Sequence, residues 1–116
     1  MTGVVVVLAI MASLLVTVPA WAAGCNLIAQ PPSQSGSNVV SKYGRGDSCA
    51  NQATVTGRLK HQKVGPDSVL STNSFTGTNF EKNLSSACLA KGAVYYTEST
   101  SSTGATAMSA TRQACG

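Results

Sequence analysis

The stretch Cys49-Ala-Asn-Gln-Ala-Thr-Val-Thr-Gly-Arg-Leu-Lys60 constrains the fold more than any other in the chain. After the cysteine and a short polar step its residues alternate. Ala53, Val55, Gly57 and Leu59 fall on one side; Thr54, Thr56, Arg58 and Lys60 fall on the other. A two-residue period of this kind belongs to a β-strand with one packed face and one wet face. The cysteine just before it predicts a strand stapled to a neighbour.

The chain starts with an apolar run, Val4 to Val18, broken by Pro19 and followed by Ala20-Trp21-Ala22. Small residues at the two positions read by a signal peptidase predict a secretory signal peptide over residues 1–22, cut after Ala22. Met1-Thr2-Gly3 carries only the chain amine, so either the positive region is minimal or the true start lies upstream. Two other readings of the start compete with this one. An uncleaved anchor needs about 20 apolar residues, which Val4 to Ala23 just reaches, but the small residues and Pro19 sit where cleavage belongs. Lipidation of Cys25 in Ala22-Ala23-Gly24-Cys25 lacks the usual leucine and would leave an odd cysteine. A freely secreted, extracellular domain over residues 23–116 is the expectation, with no transmembrane helix after signal cleavage.

The hydrophobic fraction of 43% is inflated by the signal; Thr, Ser, Gly, Asn and Ala dominate residues 23–116, and the single Trp is Trp21. A small domain with so modest a core is marginal on apolar burial alone. Four cysteines, Cys25, Cys49, Cys88 and Cys115, offer the remedy. Their even number in an exported chain predicts two disulfides. They lie far apart, without CxxC spacing, and the chain has one histidine, so metal binding is not expected. Three pairings are open. Cys25–Cys49 with Cys88–Cys115 is favoured because it closes two loops of similar length.

The rest of the chain reads as short strands between turn signals. Strands are expected over 26–29, 38–43, 53–60, 68–74, 78–88, 93–100 and 106–115. Turns are expected at 30–36, 44–48, 61–67, 75–77 and 101–104. On the fifth of these strands Phe80, Leu84, Ser86 and Cys88 share a face, interrupted by Lys82. The pattern predicts an all-β fold: a small immunoglobulin-like β-sandwich of about seven short antiparallel strands with two disulfides.

Several pieces of the chain match one group of proteins. They are Cys25-Asn26-Leu27-Ile28-Ala29, Gly44-Arg45-Gly46-Asp47-Ser48-Cys49, Ala53-Thr54-Val55, Pro66-Asp67, Tyr95-Tyr96-Thr97 and Ser102-Thr103-Gly104. In these the chain resembles small secreted proteins of actinomycete bacteria, in which a signal peptide precedes a four-cysteine β domain. The resemblance implies export and a compact disulfide-linked domain. It brings no catalytic residue and no cofactor.

Little else in the chain carries chemistry. Arg45-Gly46-Asp47-Ser48 is the integrin-recognition tetrapeptide, but Gly and Asp favour tight turns for backbone reasons, and a structural turn is the reading adopted. His61 has no evident nucleophile or acidic partner in sequence, and no serine sits in a GxSxG motif, so no enzyme is expected. Tyr95 and Tyr96 are adjacent and point to opposite faces, one expected in the core and one exposed. The net charge of +4 includes Arg58, Lys60 and Lys63, which with His61 form a candidate basic patch at one strand end. Such a patch suits an anionic cell-wall polymer, and an extracellular protein is the other partner considered; nucleic acid is not expected outside the cell. The overall expectation is a secreted, non-enzymatic binding module. The alternative is a secreted protease inhibitor that presents a rigid loop, either 44–48 or 61–67.

Overall fold

A computed structural model describes residues 25–115, and the segment read as a signal peptide lies outside them. Among the described residues nine strands follow one another: β1 (Leu27–Ala29), β2 (Ser33–Ser35), β3 (Asn38–Arg45), β4 (Ala53–Gln62), β5 (Ser68–Gly77), β6 (Phe80–Ala87), β7 (Val94–Ser101), β8 (Thr106–Met108) and β9 (Arg112–Gln113). All pair antiparallel, in two sheets. In the first, β6 runs along one side of β3, and β1 and β2 share the other. The second has the order β5-β4-β7-β8, with β9 also on β7. The chain therefore crosses between sheets after β3, β5 and β6, as a sandwich requires.

The alternation in β4 survives intact. Ala53, Val55, Gly57 and Leu59 are buried, and the residues between them are half-buried. Val39, Tyr43, Val55, Leu59, Leu84 and Tyr95 make the core, drawn from both sheets. Gly57 holds its place for room. A Cβ there would fall inside contact distance of the Tyr43 ring, which reaches over the strand from the opposite sheet. A six-residue cluster is a small core, and the two disulfides compensate. They are Cys25–Cys49 and Cys88–Cys115, the favoured pairing, with separations of 24 and 27 residues. On the chain-entropy account each loop closure contributes about 3.5 kcal/mol. One staple sits at each end of the sandwich. Cys25 is thus bonded through its sulfur and has no thiol to acylate.

Hydroxyl groups close the side of the sandwich that apolar groups leave open. Thr97 and Ser99 lie on the buried face of β7. Thr97 Oγ1 donates to the carbonyl of Gln30 at 2.6 Å, and Ser99 Oγ donates to that of Ile28. Alternate residues of one strand thereby bond the carbonyl of Ile28, in β1, and that of Gln30, just past its end, tying the two sheets together.

Several expectations need correction. The segment 30–36 holds a strand: β2 forms a hairpin with β3 through Gly36-Ser37, and the φ of +62° at Gly36 suits a two-residue hairpin turn. Residues 75–77 do not turn. They complete β5, since Phe75 pairs with Val55 and meets Phe80 edge-on at 4.7 Å. Lys82 does not interrupt its face, because its ammonium covers the ring of Phe75 at 3.9 Å. The last predicted strand is split into β8 and β9, so the described residues hold nine strands where about seven are expected from sequence.

Arg45 also differs from expectation. Residues 44 and 45 belong to β3, and Arg45 is only 6% exposed. Its guanidinium donates to the carbonyls of Asn51, Gly77 and Thr78 and reaches Sγ of Cys25. It pins the β3–β4 and β5–β6 connections together beside the first staple. Asp47 is exposed on the following turn. The tetrapeptide cannot splay a cation and a carboxylate toward a receptor, because its cation faces inward.

A candidate anion-binding cleft

The four basic residues of the expected patch do not share a surface. Arg58 and Lys60 stand on the outer face of β4, as their parity requires. Between them Glu98, on β7, forms ion pairs with both: Arg58 Nη1 lies 3.7 Å and Lys60 Nζ 3.8 Å from its Oε1. One carboxylate thus offsets part of two cations. Lys60 also lies over the ring of Tyr96, at 5.6 Å.

Tyr95 and Tyr96 point to opposite faces of β7, but neither is exposed; both are buried. Tyr96 is covered from outside by the β4–β5 loop, and its hydroxyl donates to Oδ2 of Asp67 at 2.6 Å. Burial first, and then this bond to a carboxylate, push the Tyr96 phenol up to about 12. The same bond, with the Lys63 backbone N–H and nearby Lys60 and His61, lowers the pKa of Asp67 below its ordinary value. Asp67 therefore braces the base of the loop. At the tip Val64 is fully exposed.

His61 and Lys63 go elsewhere. The strand continues through Gln62, so His61 is not in a solvated loop; it is half-buried on the inner face, its ring 6.0 Å from that of Tyr95. There it lines a cleft of about 530 Å³ at the end of the sandwich that carries Cys88–Cys115. Lys63 lies on the rim. Opposite them is the β6–β7 loop, which brings Lys91, Leu89 and Ala93; Leu70 from β5 adds to the apolar wall.

The β6–β7 loop is held at several points. Leu89 N–H donates to the Tyr95 hydroxyl at 3.0 Å, and Ala93 N–H donates to the carbonyl of Ala90 at 3.1 Å. Gln113 Nε2 donates to the carbonyl of Gly92 at 3.2 Å, and the disulfide ties its first residue to the chain end. Lys91 is thus carried on a braced loop across from His61 and Lys63. Ala90-Lys91-Gly92 lies between two expected strands in sequence, and nothing local signals that it faces residue 61. None of the cleft's lining residues is acidic. The arrangement can take an anionic group at the cationic rim and a small apolar group against Leu70 and Leu89.

No group of three or more His, Cys, Asp or Glu side chains that could hold a metal ion occurs among the described residues. Comparison with protein-family models, with curated proteins and with solved structures finds no match.

Proposed function

We propose that this protein is an exported, non-enzymatic binding module of the cell exterior, which holds acidic groups of an envelope polymer in its cationic cleft. The observation that carries this reading is the convergence of His61, Lys63 and Lys91 on one cleft whose lining contains no carboxylate. Two disulfides, one at each end of the sandwich, are compatible with an oxidising, extracellular setting. Of the basic patch expected in sequence, His61 and Lys63 serve this role with Lys91, while Arg58 and Lys60 are engaged by Glu98.

The test is cosedimentation of purified protein with isolated cell walls, before and after chemical removal of their phosphate-bearing polymers. Binding should need those polymers, weaken as salt rises, and fall at least tenfold in Lys63→Ala/Lys91→Ala. Equal binding by the double variant would refute the cleft. Export is tested separately, by the non-reduced intact mass of protein recovered from the medium: a chain starting at Ala23 with two disulfides is expected.

One observation favours a second reading, protease inhibition. The β4–β5 loop presents Val64 on a base braced by Asp67, as a rigid inhibitory loop would be. The other loop considered, 44–48, is a poorer candidate because Arg45 is buried. Titration against serine proteases decides: stoichiometric loss of protease activity, abolished in Asp67→Ala, is the expected signature, and undiminished activity excludes it.

A further inference from the structure

An edge strand exposes a row of unpaired backbone groups, and β proteins blunt such edges with charge, proline or brevity. Three of the edges here obey that rule. The β1–β2 edge is interrupted by Pro31 and Pro32; β6 carries Glu81 and Lys82; β8 is three residues long. β5 differs. It is ten residues long, has no charged residue and no proline, and no described strand covers its outer edge. One device is present. The pairing with β4 shifts between Leu59 and Lys60, leaving Leu70 as an extra residue. That bulge spoils the first part of the strand only, and Ser71–Gly77 pairs without interruption.

We propose that this edge is a pairing site for a second copy of the same chain, joined antiparallel across a twofold axis at Ser74. The parity of a strand decides where the axis can lie. In an isologous antiparallel pair, facing residues must point to the same side of the sheet, so their numbers sum to an even value. The uninterrupted span is centred on Ser74. An axis there sets Ser74 against itself, Thr72 against Thr76, and Asn73 against Phe75. On the outer face every contact is then hydroxyl to hydroxyl. This is the chemistry β5 already uses on its other side, where Thr76 Oγ1 meets Thr54 Oγ1 at 2.7 Å and Ser74 Oγ meets Thr56 Oγ1 at 2.8 Å. Cross-strand pairs of this type stabilise sheets.

The absence of charge argues for a second copy over a different peptide. A twofold sets two strands of the same charge sign side by side, which penalises a strand charged with one sign and spares this uncharged one. A foreign strand would find no charge in β5 to steer or select it. The pairing buries less than the roughly 1,600 Å² of a stable complex, so the dimer is weak and depends on concentration. The copies also repel, each at a net +4, so added salt should tighten it.

Sedimentation of the purified protein from about 10 µM to 1 mM tests this, with amide exchange of Ser71–Gly77 followed over the same range. A dimer is expected at the upper end, with the alternate amides of that span that face away from β4 more protected and with tighter association in higher salt. Ser74→Lys alone and Ser74→Glu alone should each weaken self-association at least tenfold, and an equimolar mixture of the two should restore it. A protein monomeric at 1 mM overturns the proposal. So does a dimer that salt weakens, or one that both Ser74 variants leave unchanged. None of these outcomes depends on the cleft, which lies at the end of the sandwich.

Discussion

Replacing Gly57 with alanine sets two physical effects against each other, and the structure decides which wins. Glycine in a strand interior costs conformational entropy, so alanine at a position with ordinary backbone angles should stabilise the protein by about 0.4–1 kcal/mol. Gly57 is not among the residues with positive φ, so its backbone would accept alanine. The space would not. The new Cβ would lie 2.7 Å from Cδ2 of Tyr43 and closer still to Cγ and Cδ1. Reaching van der Waals contact requires the ring and the strand to part by about an ångström or more, the gap between those distances and ordinary carbon contact. Tyr43 is fully buried, so its ring has no solvent to move into. Overpacking of this kind costs typically about 1–3 kcal/mol. Taking the upper part of that range less the entropic gain, Gly57→Ala should destabilise by about 2 kcal/mol. For a domain of this size that lowers Tm by about 10 °C. Thermal unfolding with the disulfides intact, followed by circular dichroism, reads the difference. In a Tyr43→Ala background the clash is gone and the same substitution should become neutral or stabilising, a strong coupling between the two sites. An unchanged or higher Tm for Gly57→Ala alone would refute the packing of Tyr43 on β4.

Two further predictions test the groups at either end of the molecule. Arg45→Met should destabilise by about 3 kcal/mol in urea unfolding, because it leaves the carbonyls of Asn51, Gly77 and Thr78 without their charged donor, whereas Asp47→Ala should stay within about 0.5 kcal/mol; equal effects would contradict the buried guanidinium. For Tyr96 the folded pKa lies above the unfolded one, so its contribution to stability is complete below pH 10 and is lost as pH rises toward about 12. Stability should fall over that window in the native protein and fall less steeply in Tyr96→Phe; identical alkaline limbs would remove the Asp67–Tyr96 bond from the account.

How much of this fold the sequence discloses depends on how local each cause is. The face of β4 is legible because burial of one sheet side imposes a two-residue period, and Ala53, Val55, Gly57 and Leu59 carry it without a break. The pairing of the cysteines is legible as a preference, since similar loop lengths favour one of three connectivities. β2 is hidden because Pro31 and Pro32 dominate their segment, though Gly36 in a two-residue connection is a hairpin signal in its own right. Phe75 to Gly77 reads as a turn because the glycine is local, whereas the ring that Phe75 packs against, Phe80, belongs to the next strand and the opposite sheet.

The cleft shows the same limit more sharply. His61 and Lys63 stand out as basic residues in one segment, and so do Arg58 and Lys60, but strand parity and a carboxylate 38 residues beyond Lys60 divide them. That division is partly visible in advance: alternation alone sends Arg58 and Lys60 to one face and His61 to the other. What alternation cannot supply is Lys91, which reaches the cleft only because Cys88–Cys115, Tyr95 and Gln113 hold its loop across the end of the sandwich. Those constraints join residues distant in the chain or meet through tertiary packing. A basic patch inferred from neighbouring residues therefore groups side chains that the fold sends to different surfaces. The staple that compensates for the small core is also the part that gathers the cations, so loss of Cys88–Cys115 should cost binding along with stability.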